Sequence, residues 1–364
     1  MLRKNFFPSQ SLQLNIKKME QFCNILKSTF TSFSSSSFNQ RNYHHNSRQI
    51  STANTSFSIL KNANKSLSNE TISISDISTK NPCLVCQNPC STHPSYPSNL
   101  KLDHTSPLKD TIQPYVRHVI ISTGKSDWEK IIELNQGSLA SELFKCQSEV
   151  MNNNDSLTKE NDSKKLKKEN KFKKDRTMIT NCSRSNTQFS FFNWGNDVLI
   201  FPDNLLIRNV TVKHAKEFYN HFLLNQQYKS IDIKNENYNV VKFEKEEIPY
   251  KAVILICGHK RRDIRCGVAG PLLKNEFDKV LKELKLDLRS NGNNGVAVYL
   301  SSHHFAGNVI VYRNNQGFFY GRVTPCHVKM IVEKTVIEGK VIKELYRGSM
   351  KGSFINDEIG KLDW

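Results

Sequence analysis

Apolar positions along this chain gather in two stretches separated by long polar tracts. In the carboxy-terminal third, Lys251 is followed by five unbroken apolar residues, Ala252 to Ile256, the pattern of a strand buried on both faces. From Leu272 to Leu286, Leu273, Phe277, Val280, Leu281 and Leu284 recur at helical spacing. Val296 to Ser301 and Asn308 to Tyr312 predict strands, and Asn314-Asn315-Gln316-Gly317 turns the chain into Phe318-Phe319-Tyr320. A closing helix is predicted from Thr324, its N-cap, to Glu338, with Pro325 in the first helical position. The order, βα and then ββα, is a thioredoxin-like layout: one sheet with helices packed on it.

Upstream the pattern is more broken. Val116 to Ser122 predicts a strand, and Thr123 to Asp127 breaks it before a helix opening at Trp128 and continuing from Ser138 to about Met151. Gly124-Lys125-Ser126 lacks the upstream glycine of a phosphate loop, which excludes that reading. Val198 to Phe201 predicts a strand stopped by Pro202. Val212 to Leu224 predicts a helix with Ala215, Phe218, Tyr219, Phe222 and Leu223 on one side. Residues 152–185 are rich in Asn, Lys, Asp and Glu and predict a disordered insertion. The fold class is therefore α/β. A thioredoxin-like domain occupies 246–348, after a smaller α/β region over 81–245 and a polar linker over 51–80, and a tail follows over 349–364.

Charge adds an address and removes a function. The formal net charge is +18, and part of the excess sits in residues 1–50 and part in the run Lys159 to Arg176. Neither interleaves aromatics with its basic residues as a base-stacking surface does, so no nucleic-acid partner is expected. Residues 1–50 hold Arg3, Lys4, Lys17, Lys18, Lys27, Arg41 and Arg48 against Glu20 alone, with serines at 34–37. That is the composition of a mitochondrial transit peptide, and Arg48-Gln49-Ile50 before Ser51 resembles a matrix cleavage site. No apolar run reaches the ~18 residues of a membrane span.

The chain has 9 cysteines and opens on no secretory segment, which argues against a disulfide scaffold. Cys257 ends the first strand of the last domain, and Cys266 follows across the basic loop Gly258 to Arg265. The loop is too wide for the C-x-x-C of a disulfide oxidoreductase. His303 and His304 fall between the second and third strands, a connection that lies beside that loop. Two thiolates and two imidazoles satisfy either a 2Fe–2S cluster or a zinc ion. Cys83, Cys86, Cys90 and His93 form a second group, suited to zinc or to thiol redox chemistry.

Cys257-x8-Cys266-Gly267, His304-Phe-Ala-Gly-Asn-Val-Ile-Val-Tyr312, Tyr320-Gly-Arg-Val-Thr-Pro325 and Gly339 to Gly348 together resemble the sucrase/ferredoxin-like family. His118-Val-Ile-Ile-Ser-Thr-Gly-Lys-Ser-Asp-Trp128 is similar to a fungal mitochondrial branch of it. The resemblance implies a thioredoxin-like ferredoxin domain, a 2Fe–2S cluster on two cysteines and two histidines, and a role in mitochondrial thiol redox balance. The family writes His-x-Gly-Gly-His before Lys-Phe-Ala-Gly-Asn, and this chain lacks the glycine pair. An ungapped alignment matches His303 and sets Tyr299 in place of the other histidine. A shortened loop makes His303 and His304 the pair, and is preferred because Tyr299 sits inside an apolar strand. His259 is a substitute for either.

The resulting expectation is an electron-transfer or redox-sensing protein rather than a classical enzyme, with Cys257, Cys266, His303 and His304 as cluster ligands. Lys260, Arg261, Arg262 and Arg265 form a basic rim suited to an acidic redox partner protein. Leu362-Asp363-Trp364 resembles the terminal tripeptide that docks iron–sulfur proteins on the cytosolic cluster-targeting machinery. The matrix address and this tripeptide agree if the protein serves both compartments. The alternatives are a cluster-free thiol-disulfide protein using Cys83, Cys86 and Cys90, and a zinc-stabilised adaptor.

Overall fold

Strand β7 (Ala252–Cys257) is buried at every position, as its unbroken apolar run requires. It lies between β8 (Val296–Ser301), parallel to it, and β9 (Val309–Arg313), antiparallel. The hairpin partner β10 (Gln316–Tyr320) and then β12 (Tyr346–Ser349) extend the same side. This is a computed structural model, which describes residues 77–78, 93–156, 176–186, 195–224, 243–303 and 305–354. The predicted transit peptide, most of the linker, Cys83, Cys86, Cys90, much of the predicted insertion, His304 and Leu362-Asp363-Trp364 lie outside the described residues.

The helix α3 (Cys266–Glu283) packs on one face of β7, with Leu273, Phe277, Val280 and Leu281 buried against Ile254 and Ile256. It begins at Cys266, earlier than the apolar spacing predicts, because Gly267 and Gly270 give no periodic signal and Pro271 reads as a breaker. Gly270 has a packing reason: a Cβ there would lie 2.7 Å from Cys257 O, so only glycine lets the helix sit this close to the strand. The closing helix α4 runs from a 3-10 turn, Pro325–His327, through Val328–Met330 into a π-helical stretch, Ile331–Ile337. Thr324 caps it as predicted, in a reciprocal capping box with His327.

The upstream region repeats this plan. Strand β2 (Arg117–Ser122), helix α1 (Leu139–Ser156), β3 (Thr177–Cys182), β4 (Asn196–Phe201), β5 (Leu205–Val210), helix α2 (Ala215–Phe218, continued as a π-helix over Tyr219–Leu224) and β6 (Lys245–Glu247) follow one another. The pairings β2 with β3 parallel, and β2–β4, β4–β5 and β5–β6 antiparallel, match β7–β8, β7–β9, β9–β10 and β10–β12 one for one. The two halves form one 10-stranded sheet, β12-β10-β9-β7-β8-β3-β2-β4-β5-β6. A short pair, β1 (Ile77–Ser78) with β11 (Val341–Ile342), stands apart from it.

Three expectations need correction. The 152–185 segment is not all insertion: Thr177–Cys182 is an inner strand, where Thr180 Oγ1 bonds to His118 Nε2 at 2.7 Å and the Asn181 backbone N–H donates to Ser302 Oγ at 2.8 Å. The tail assigned to 349–364 begins too early, since Ser349 ends β12 and Met350 and Phe354 are core residues. The upstream α/β region is joined to the last domain through the sheet. The joint is short: β3 and β8 meet at Cys182 and Ser301, reinforced by Ser183 N–H to Leu300 O at 2.9 Å and Ser302 N–H to Asn181 O at 3.0 Å. The helix-free faces of the halves pack together in one cluster, where Phe201 of β4 stacks on Tyr312 of β9 at 4.1 Å between ring centroids. No helix among the described residues is long and apolar enough to cross a membrane.

Candidate redox site

Cys257 sits at the carboxyl end of β7, its N–H donating to Asn308 O at 2.9 Å. The loop that follows turns back on itself, with Arg262 and Asp263 N–H groups on His259 O and Cys266 N–H on Asp263 O. That turn brings the Cys266 sulfur 3.2 Å from the Cys257 sulfur, and both thiols are free and buried. Ala269 and Ala306 pack on them, and Tyr96, Leu100 and Leu102 cover them from outside the sheet. Tyr96 is tied down by its hydroxyl, which donates to Val323 O at 2.7 Å. The hydrogen shared with Cys257, together with burial, pushes the Cys266 thiol far above its ordinary range. A cation that replaces the proton is what would make it a thiolate.

His303 follows β8. Ser301 O–H donates to Ile256 O at 3.3 Å, so its oxygen is free to accept from His303 Nδ1–H. That fixes the tautomer and leaves Nε2 as a bare lone pair, buried with no partner among the described residues. Burial, the Arg347 and Arg262 charges and neighbouring His259 push His303 down to about 3, so the ring stays neutral. His259, fully buried, is fixed the other way round. Its Nε2 faces two carbonyls, Trp128 O at 3.1 Å and Glu129 O at 3.0 Å, and so must carry the hydrogen. Its Nδ1 is the bare nitrogen, also buried without a partner among the described residues.

Of the predicted ligands, Cys257 and Cys266 are brought together. No group of three or more His, Cys, Asp or Glu side chains among the described residues converges as a metal site, and His304 is outside them. Tyr299 hydrogen-bonds to Tyr250 at 3.3 Å from within β8, in agreement with reading it as a strand residue. The basic rim is partly neutralised: Arg261 pairs with Glu129 and Asp127, and Arg265 with Asp263 at 2.8 Å, while Lys260 and Arg262 are exposed.

A buried polar chain beside His303 had no signal in the residue pattern. His118, with its ring 5.5 Å from that of His303, bonds through Nδ1 to the Tyr312 hydroxyl at 2.6 Å and through Nε2 to Thr180 Oγ1 at 2.7 Å. The Tyr312 hydroxyl meets that of Tyr115 at 3.1 Å. The chain therefore stitches β2 and β3 of the first half to β9 of the second.

Known proteins with similar sequences place this architecture. The chain is 32% identical over 269 residues to Altered inheritance of mitochondria protein 32 of Clavispora lusitaniae, covering 70% of this chain and 88% of that one. The protein of the same name from Debaryomyces hansenii is 28% identical over 279 residues, 72% of this chain and 92% of the other. Actin patches distal protein 1 of Saccharomyces cerevisiae is 39% identical over 95 residues, 24% of this chain and 30% of its own length. No solved structure matches the chain. The sucrase/ferredoxin-like family profile matches residues 108–348, spanning both halves of the sheet, and the chain belongs to that family.

Proposed function

We propose that this protein is a mitochondrial electron-transfer or thiol-redox protein holding a 2Fe–2S cluster on Cys257 and Cys266, with imidazole ligation through His303. The observation that carries the reading is the buried, unbridged thiol pair at 3.2 Å; Cys257 pairs with Ser301 in the neighbouring strand, and two residues beyond Ser301 the Nε2 of His303 is buried with no partner among the described residues. Soft sulfur with neutral imidazole is a donor set that suits such a cluster. The second imidazole is His304 on the sequence reading. His259, whose bare Nδ1 is buried two positions beyond Cys257, is the other candidate. The mitochondrial assignment rests on the basic, acid-poor residues 1–50 and on the names of the relatives.

When bound, the cluster supplies one-electron transfer. The residues of the chain do the rest. Ser301 orients His303 by accepting its Nδ1–H, as partners of ligating histidines do. Tyr96, Leu100, Leu102 and Ala306 exclude water from the sulfurs. The Arg347 charge beside Cys257, and the Arg347 and Arg262 charges beside His303, would stabilise added negative charge on a cluster held there.

The test is a redox titration with electron paramagnetic resonance on His303→Cys, His304→Cys and His259→Cys. Imidazole in place of thiolate moves such centres from about −400 mV to between roughly −150 and +300 mV, so a histidine ligand changed to cysteine lowers the potential. His303→Cys is expected to do so, with one of the other two. If none of the three alters potential or spectrum, histidine ligation is wrong.

The same sulfur contact favours a second reading. Two thiols this close can form a disulfide, giving two electrons and two protons to an acceptor disulfide. That protein would be colourless. The alternative resting on Cys83, Cys86 and Cys90 falls outside the described residues.

A further inference from the structure

Arg322 and Arg347, from separate segments, line one cavity beside the cysteine pair, and neither has a carboxylate in ion-pair range among the described residues. A cavity of about 390 Å³ is lined by Arg265, Arg322, Arg347, Phe305, Leu102 and Ala306, among others. Its volume is that of a small-ligand site. Leu102 and Ala306 also pack on Cys257 and Cys266, so the cavity and the thiol pair share a wall.

The charges do not cancel. Arg265 is paired with Asp263 at 2.8 Å. Arg322 gives Nε to Asp103 O and Nη2 to Ser106 O, and Arg347 gives Nε to Thr111 Oγ1 at 2.9 Å and Nη1 to Asn308 Oδ1 at 2.6 Å. All four acceptors are neutral. Arg322 Nη1 and Arg347 Nη2 have no acceptor among the described residues, and neither arginine has a carboxylate in ion-pair range there. Asp103, the carboxylate of the wall, turns its Oδ1 to Thr105 and Ser106. Arg347 is only 5% exposed, and a cation buried this far ordinarily has a counter-charge. Burial, and then the Arg322 charge, push it down to about 10. Phe305 is 49% exposed at a φ of 81°, and the Arg347 guanidinium lies 4.9 Å from its ring centroid. The ring offers an apolar face beside the cations.

We propose that this cavity binds a small organic anion through a carboxylate or phosphate group held between Arg322 and Arg347, next to the Cys257–Cys266 pair. Guanidinium forks match both oxyanions, which is the chemistry they share. The site stands on the arginines and the cavity alone and holds whether or not the thiols carry a cluster.

Isothermal titration of the full-length protein with inorganic phosphate and, separately, with citrate tests it, with sodium chloride at matched ionic strength as control. Saturable binding of one or both probes is expected; phosphate alone marks a phosphorylated ligand, citrate alone a carboxylate one. Arg322→Gln and Arg347→Gln should each weaken binding by at least about tenfold, the loss of one charge-assisted contact. Arg347→Gln also breaks the bonds to Thr111 and Asn308, so if it fails to fold, Arg322→Gln decides. No saturable heat with either probe, a response that sodium chloride reproduces, or undiminished binding in Arg322→Gln overturns the proposal.

Discussion

Replacing Tyr312 with Phe tests whether the buried chain through His118 joins the two halves. The ring stays, so its stack on Phe201 is kept, and only the hydroxyl is lost. That hydroxyl is fully buried and bonded to His118 Nδ1 at 2.6 Å and to Tyr115 at 3.1 Å. Without it, both partners are stranded where water does not reach. Each stranded group costs about 1–3 kcal/mol, and a sum of about 2–4 kcal/mol is expected after relaxation. Tyr115→Phe makes the matched comparison. It leaves the Tyr312–His118 bond in place and should cost about 1 kcal/mol. Urea unfolding followed by circular dichroism reads the difference as a fall in midpoint at constant slope. A Tyr312→Phe protein within about 0.5 kcal/mol of the parent, or a larger loss for Tyr115→Phe, would refute the reasoning.

Asp197 Oδ2 accepts from Arg184 Nη1 at 2.9 Å and Arg208 Nη1 at 3.0 Å, with Arg184 almost wholly buried. Asp197→Ala should destabilise the first half by about 3–5 kcal/mol, because a buried guanidinium loses its carboxylate; a loss below 1 kcal/mol in the same urea assay would contradict this. Burial pushes His327 down to about 4, below its unfolded 6.5. Between those values the unfolded chain takes up a proton that the folded one refuses, so stability falls as pH drops through that window. The stability gap between the parent and His327→Gln should therefore narrow from pH 7 to pH 5, and an unchanged gap rules out this source of acid sensitivity. Cys257→Ser and Cys266→Ser should each lose the visible chromophore, since hydroxyl is a poor substitute for thiolate; full iron and sulfide in both variants would remove these residues from the ligand set.

Much of the second half was legible because its strands announce themselves. Ala252 to Ile256 is apolar throughout, and burial at every position followed. The Cys257 and Cys266 pairing was legible from spacing and the family pattern, and the loop does bring the sulfurs together. Strand Thr177–Cys182 was not legible, because it carries polar residues, and what holds them lies far along the chain: His118 for the Thr180 hydroxyl and Ser302 for the Asn181 backbone. The repeat of topology was hidden for a related reason: pairing order is shared between the halves, while residue pattern is not. Ser122 ends β2 where Cys257 ends β7, so the first half repeats the strand without the thiol. His259 was legible only as a substitute ligand, since its tautomer is set by carbonyls of Trp128 and Glu129 in the other half. The sharing of the cavity wall by Arg322 and Arg347 likewise depends on how β10 and β12 are brought side by side.

The central claim is that the buried thiols at Cys257 and Cys266 hold a 2Fe–2S cluster. The most direct measurement is the visible spectrum of the full-length protein purified without oxygen, combined with iron, acid-labile sulfide and zinc analysis on the same sample. The account predicts a brown protein with about two irons and two sulfides per chain and no stoichiometric zinc. A colourless, iron-free protein from iron-replete cells would contradict it, leaving the thiol pair to disulfide chemistry or to zinc.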